Sequence, residues 1–300
     1  MSQPTVLIIG ATGIIGSALV DRLIPDHRDR HLRLVVATRH PEAAAERWHN
    51  HGIEIRRLDL DDAESEGLTA IRSAFTSIDR VFLLTGYTVQ MLAESKAAVD
   101  AAKAEGVTHL VHIGVSAARD TTIAHFAWHQ LIEAYIERSG LGYTHLRPAA
   151  FMQNLARGIG EPGVLTHFIG AARTNWIDTD DIAEVAAIVL RDPAAYAGHA
   201  YDLAAESASM SEIVEQLTAV TRQQWRYRPA EPQTFYDNMV RAGADPVYMA
   251  CVRNVFERTR NGSLTEPDDI LGTIRTITGH PATSLRDYFE KNRTEFTVAR

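Results

Sequence analysis

Val6-Leu7-Ile8-Ile9-Gly10-Ala11-Thr12-Gly13-Ile14-Ile15-Gly16, followed directly by Ser17-Ala18-Leu19-Val20-Asp21-Arg22-Leu23, decides how the chain folds. Four consecutive apolar residues suit a strand buried on both faces, and the segment after the glycines has helical periodicity. The order is strand, glycine turn, helix. Gly10 lets the chain turn sharply off the strand, Gly13 lets a pyrophosphate approach the backbone, and Gly16 allows close packing of helix and sheet. The free amides and positive dipole end of the helix then face the phosphates, which makes Gly10, Thr12, Gly13, Ile14, Ile15 and Gly16 candidate dinucleotide ligands. The spacing G-x-x-G-x-x-G is one residue wider at its start than the usual fingerprint.

The 300 residues are enough for one large or two ordinary domains. An apolar content of 45% is that of a globular protein, and a net charge of −8 argues against binding nucleic acid or an anionic membrane through a basic surface. No apolar run reaches membrane-spanning length, no signal peptide precedes the first strand, and Cys251 is the single cysteine, so a cytoplasmic protein without an intrachain disulfide is expected.

Pro25 to His31 forms a polar turn, and Leu32 to Thr38 a second strand. A site specific for NAD places Asp or Glu after this strand to bind the ribose hydroxyls. Thr38-Arg39-His40 stands there instead, and a carboxylate would repel a 2′-phosphate that an arginine can pair. NADP(H) is therefore expected to be preferred, with NAD(H) also accepted. Ile53 to Leu58 alternates as a third strand, and Asp59-Leu60 follows, either beside the adenine or, for Asp59, as a helix cap. A helix to Phe75 leads to a strand at Arg80 to Leu84. Because ligands in open α/β sheets lie beyond the carboxyl ends of strands, Thr85, Gly86 and Tyr87 should face the cofactor. A helix from Val89 to Glu105 and a strand from Thr108 to Val115 follow, and Ser116 points to the same site. Unbroken alternation of this kind gives a Rossmann-type doubly wound parallel sheet.

The glycine motif, Thr38-Arg39-His40-Pro41, Gly106 to His112 and Gly142-Tyr143-Thr144-His145-Leu146-Arg147-Pro148-Ala149-Ala150-Phe151-Met152-Gln153-Asn154 together resemble the NmrA-like atypical short-chain dehydrogenase/reductases. Asp178 to Ala183, Tyr201-Asp202-Leu203 and Thr278 to Tyr288 extend the resemblance over essentially the whole chain. That family includes triphenylmethane and quinone reductases and a redox-sensing regulator. The resemblance places Pro148, Ala149, Phe151 and Met152 beside the nicotinamide, with Asn154 in the pocket.

Where the wider superfamily keeps its Tyr-x-x-x-Lys pair, this chain resembles it with His125 at the tyrosine position and His129 at the lysine position, in His125-Phe126-Ala127-Trp128-His129-Gln130-Leu131-Ile132-Glu133. The two histidines share a helical face. By this resemblance His129, with Glu133 one turn on, holds the nicotinamide ribose. His125 is either the acid or a surface histidine, and Trp128 is a core or dimer residue. No metal is expected, since an i, i+4 histidine pair without a third ligand of recognisable spacing falls short of a zinc motif.

From Glu161 the alternation breaks. Trp176-Ile177-Asp178 returns towards the sheet, and Tyr201 to Leu203 adds a last strand. The expected domains are an NAD(P)-binding domain at 1–155, with return segments at about 173–204, and a smaller, mostly helical substrate lid at 205–300. Candidate apolar lining in the lid is Tyr236, Met239, Met249, Val252 and Phe256. The function implied is an NADPH-dependent reductase, monomeric or homodimeric, that passes hydride to a quinone, dye-like compound or aromatic biosynthetic intermediate. The alternative is a redox sensor that binds NADP(H) without turnover.

Overall fold

The computed structural model describes residues 3–267 and 270–296; the expected spans also reach 1–2, 268–269 and 297–300, which lie outside the described residues. Strands Thr5–Ile9 (β1), Arg33–Thr38 (β2), Glu54–Arg57 (β3), Arg80–Leu83 (β4), His109–Ile113 (β5) and Gly142–Pro148 (β6) pair in parallel. On one side of β1 lie β2 and β3, and on the other β4, β5, β6 and, at the edge, His199–Leu203. This is the expected Rossmann-like α/β sheet of seven strands, and its order reverses between β1 and β4, the position where such sheets bind ligands. Val6, Leu7 and Ile8 of β1 are fully buried, as a parallel strand covered on both faces must be.

Helix Ile14–Arg28 (α1) buries Ile15, Leu19, Val20, Leu23 and Ile24, the stripe its periodicity gives. It also runs through Pro25, where a turn was expected. Pro25 lies on the exposed face, so the backbone bond it removes is lost where water can replace it, and Arg191 holds the helix end through Asp26 at 2.8 Å. The expected helix to Phe75 is instead broken into Asp62–Glu66, Thr69–Arg72 and a short 3₁₀ turn, Ser73–Phe75, because Gly67 interrupts it.

The chain forms two compact units. The first comprises Met1–Gly114, Trp128–Arg147 and Ile182–Tyr201, and the second Val115–Ala127, Pro148–Asp181 and Asp202–Arg300. The second unit contains two small three-stranded sheets beside its helices. Arg173–Ile177 pairs with Glu206–Ser209 and Ala150–Phe151, and Val164–His167 pairs with Arg226–Pro229 and Ile159–Glu161. Trp176 and Ile177 therefore belong to a small separate sheet and not to the main one. The Trp176 indole N–H donates to the Ala208 carbonyl at 3.2 Å, an anchor within that sheet. Its core gathers Trp176, Met210, Ile213, Leu217, Tyr288 and Phe289 around the helices Met210–Thr221 and Leu285–Lys291.

Candidate active site

In the first unit, the glycine turn leaves no room for side chains. Gly10 has φ +78°, and a Cβ there would stand 2.7 Å from the Leu84 carbonyl oxygen. A Cβ on Gly16 would stand 2.2 Å from the Gly10 carbonyl oxygen, whereas at Gly13 the same atom would lie at 3.3 Å. Backbone therefore packs on backbone where α1 begins. Gly13 is the N-cap, no side chain caps the helix, and no acidic residue occupies its first turn. The first amides of α1 consequently stay available to an anion, with Thr12, Gly13 and Ile14 exposed around them. Ile15 is only 4% exposed, so its side chain is core and only its amide can serve a ligand. This geometry fits a dinucleotide pyrophosphate.

Arg39 is exposed just beyond β2. Its charge acts on Glu94, whose carboxyl burial raises above the ordinary range, with Asp61 and Asp59 adding to the rise and the Gly86 amide opposing it. Asp59, whose role the sequence left between adenine and cap, accepts from the Asp61 amide at 3.3 Å and braces its own turn. Leu60 lines a cleft with Asp61, Leu68, Glu94 and Ala97, and the glycine turn is not part of it. Thr85, Gly86 and Tyr87 follow β4, with Tyr87 63% exposed.

Helix Ala124–Ser139 carries both candidate histidines. His129 belongs to the first unit, and burial pushes its pKa down to about 4, so at neutral pH it is an uncharged imidazole and cannot replace a lysine's charge. Its ring lies 5.7 Å from that of His112 on β5, and His112 meets His145 of β6 edge-on at 5.5 Å. Glu133, expected as the partner of His129, is instead gripped by the Arg147 guanidinium, whose terminal nitrogen lies 2.6 Å away and whose Nε lies 3.0 and 3.2 Å from the two oxygens. Gly114 makes room for this carboxylate, since a Cβ there would come within 2.7 Å of Glu133 Oε1. His112, His145 and Arg147 escaped the sequence reading. The cross-strand register that sets His112 opposite His145 is what joins them, and no local pattern reveals it.

In the second unit, the Ser116 amide donates to the Pro148 carbonyl at 3.0 Å, which sets these two candidates side by side, and Phe151 lies in the strand that follows. His125 is 6% exposed, with its ring 4.5 Å from Phe126 and 5.2 Å from Tyr248. The alternative of a surface histidine is thereby excluded. Among the candidate lining residues, Met249 is buried, while Tyr236, Met239, Val252 and Phe256 are half-buried. Phe256 packs with His167, Phe168 and Phe235, the nearest ring at 5.0 Å.

Among known proteins, the chain is 27% identical over 302 residues to an NAD(P)H azoreductase of Xenophilus azovorans, covering 98% of this chain and 100% of that one. It is 25% identical to quinone oxidoreductase 2 of Escherichia coli over 94% of this chain and 96% of the relative. The structure superposes on triphenylmethane reductase of Citrobacter sp., solved with NADP(H), with a TM-score of 0.77 and 20% identity, over 96% and 99% of the two chains. Among the described residues, no helix is long and apolar enough to cross a membrane. The model of the NmrA-like family matches residues 2–267, and the chain belongs to that family.

Proposed function

We propose that this protein is an NADPH-dependent reductase that passes hydride to a flat conjugated acceptor such as a quinone or an azo or triphenylmethane dye. The reading rests on the uncapped, glycine-lined start of α1, which is shaped for a dinucleotide, and agrees with relatives named for such reductions. Bound there, the reduced nicotinamide supplies the hydride. The α1 amides take the pyrophosphate, and Arg39 pairs the 2′-phosphate. Neutral His129 holds the ribose by hydrogen bonding alone. His125, packed among Phe126 and Tyr248, shapes its surroundings as an aromatic-sized neighbour. Without a Tyr-Lys pair the chain suits acceptors that take hydride into a delocalised system and leave their protons to water.

The absent pair also favours a second reading, an NADP(H)-binding sensor without turnover. NADPH oxidation measured against a panel of quinones, azo dyes and triphenylmethane dyes separates the two. Acceptor-dependent oxidation is the expected result. Tight binding of NADP(H) with no oxidation across the panel would favour the sensor.

A further inference from the structure

The first unit contains a buried donor set that the dinucleotide reading does not use. His112 and His145 sit opposite each other on β5 and β6, and Glu133 reaches the same place from the helix Ala124–Ser139. One donor atom from each of the three lies within 4.8 Å of the others. All are buried: His145 is fully enclosed, His112 is 2% exposed and Glu133 4%. Nδ1 of His145 and Nδ1 of His112 are enclosed without a hydrogen-bond partner, as is Nδ1 of the neighbouring His129, and Nε2 of His145 has only the Glu137 carboxylate, 3.6 Å away. Buried imidazole nitrogens are normally satisfied, so several orphans in one place call for an occupant.

We propose that His112, His145 and Glu133 bind a divalent transition-metal ion of the zinc type, with water completing a four-coordinate site. Two imidazoles and a carboxylate suit Zn²⁺ or Co²⁺, while Mg²⁺ and Ca²⁺ demand oxygen. Metal–donor bonds of about 2.0–2.2 Å require the donors to draw together by roughly 1 Å, within the reach of side-chain rotation. Arg147, whose terminal nitrogen lies 2.6 Å from Oε2 of Glu133 and whose Nε reaches both oxygens, fixes the carboxylate's direction, as an outer-shell donor does. Because it also offsets the carboxylate's charge, the site is weaker than a dedicated structural zinc site.

The test uses the full chain, free of any tag and stripped with a chelator, titrated with Co²⁺ and then with Zn²⁺. The expected result is an intense four-coordinate Co²⁺ spectrum that saturates at one equivalent and is displaced by Zn²⁺. His145→Gln and Glu133→Gln should each weaken binding by about 10- to 100-fold. Exposed histidines provide the control: His31→Ala/His49→Ala should bind as wild type. A weak six-coordinate spectrum in the wild type, or binding that follows His31 and His49, overturns the proposal. If His145→Gln does not fold, the wild-type spectrum and Glu133→Gln decide it.

Discussion

Replacing Gly16 by alanine probes the feature on which the cofactor reading depends. The new methyl would lie 2.2 Å from the Gly10 carbonyl oxygen, 2.7 Å from its carbon and 2.8 Å from Ala11 Cα. All three are backbone atoms and cannot rotate away. Ordinary contact begins at 3.4 Å, so the turn and the start of α1 must separate by about 1 Å. Overpacking of this kind costs about 1–3 kcal/mol of stability. The same displacement moves the α1 amides away from a bound pyrophosphate, and misplacement by about 1 Å at a positioning element costs about 100-fold. NADPH affinity from a fluorescence titration, together with a thermal unfolding curve, measures both effects. Gly160→Ala, at a position with nothing within 4 Å, is the control and should leave both unchanged. If Gly16→Ala bound NADPH within threefold of wild type and melted at the same temperature, the close-packed turn would not be the cofactor's seat.

Three further outcomes are expected. Arg39→Ala should cost roughly 1.5–3 kcal/mol of NADPH affinity, about 10- to 100-fold, and leave NADH binding nearly unchanged; equal affinities for the two cofactors in the wild type would refute the 2′-phosphate role. His129→Ala should weaken cofactor binding and slow turnover, whereas His125→Phe should retain most of both, and a turnover loss of a thousandfold in His125→Phe with NADPH affinity intact would make His125 the proton donor. His167, enclosed by Phe168, Trp176 and Phe256, has its pKa pushed by burial from 6.5 to about 4, so the unfolded chain takes up a proton that the folded one refuses. Its contribution to stability is complete above pH 6.5 and falls as the pH drops towards 4, a loss of about 2 kcal/mol by pH 5. Urea unfolding of wild type and His167→Phe at pH 7.5 and pH 5 should show a pH dependence smaller by that amount in the variant, and identical dependence would contradict the assignment.

The sequence alone determined the sheet and its first crossover, because each signal is local. An apolar run buried on both faces, a glycine spacing that admits backbone contact and a 3.6-residue stripe lie within about 20 residues of one another. Local signals misled where packing outweighed them. Pro25 reads as a turn, yet it sits on the solvent face of a helix held by Leu23, Ile24 and the ion pair of Asp26 with Arg191. Trp176 reads as a return to the main sheet, but its partners are Glu206–Ser209, about 30 residues on. The histidine cluster depended most fully on tertiary structure. His112 and His145 are 33 positions apart, and only the β5–β6 register sets them opposite each other. Arg147 then takes the carboxylate of Glu133, which the family resemblance had set beside His129 at the ribose. Periodicity determines which face of an element is buried, whereas the register between elements decides which buried polar groups meet.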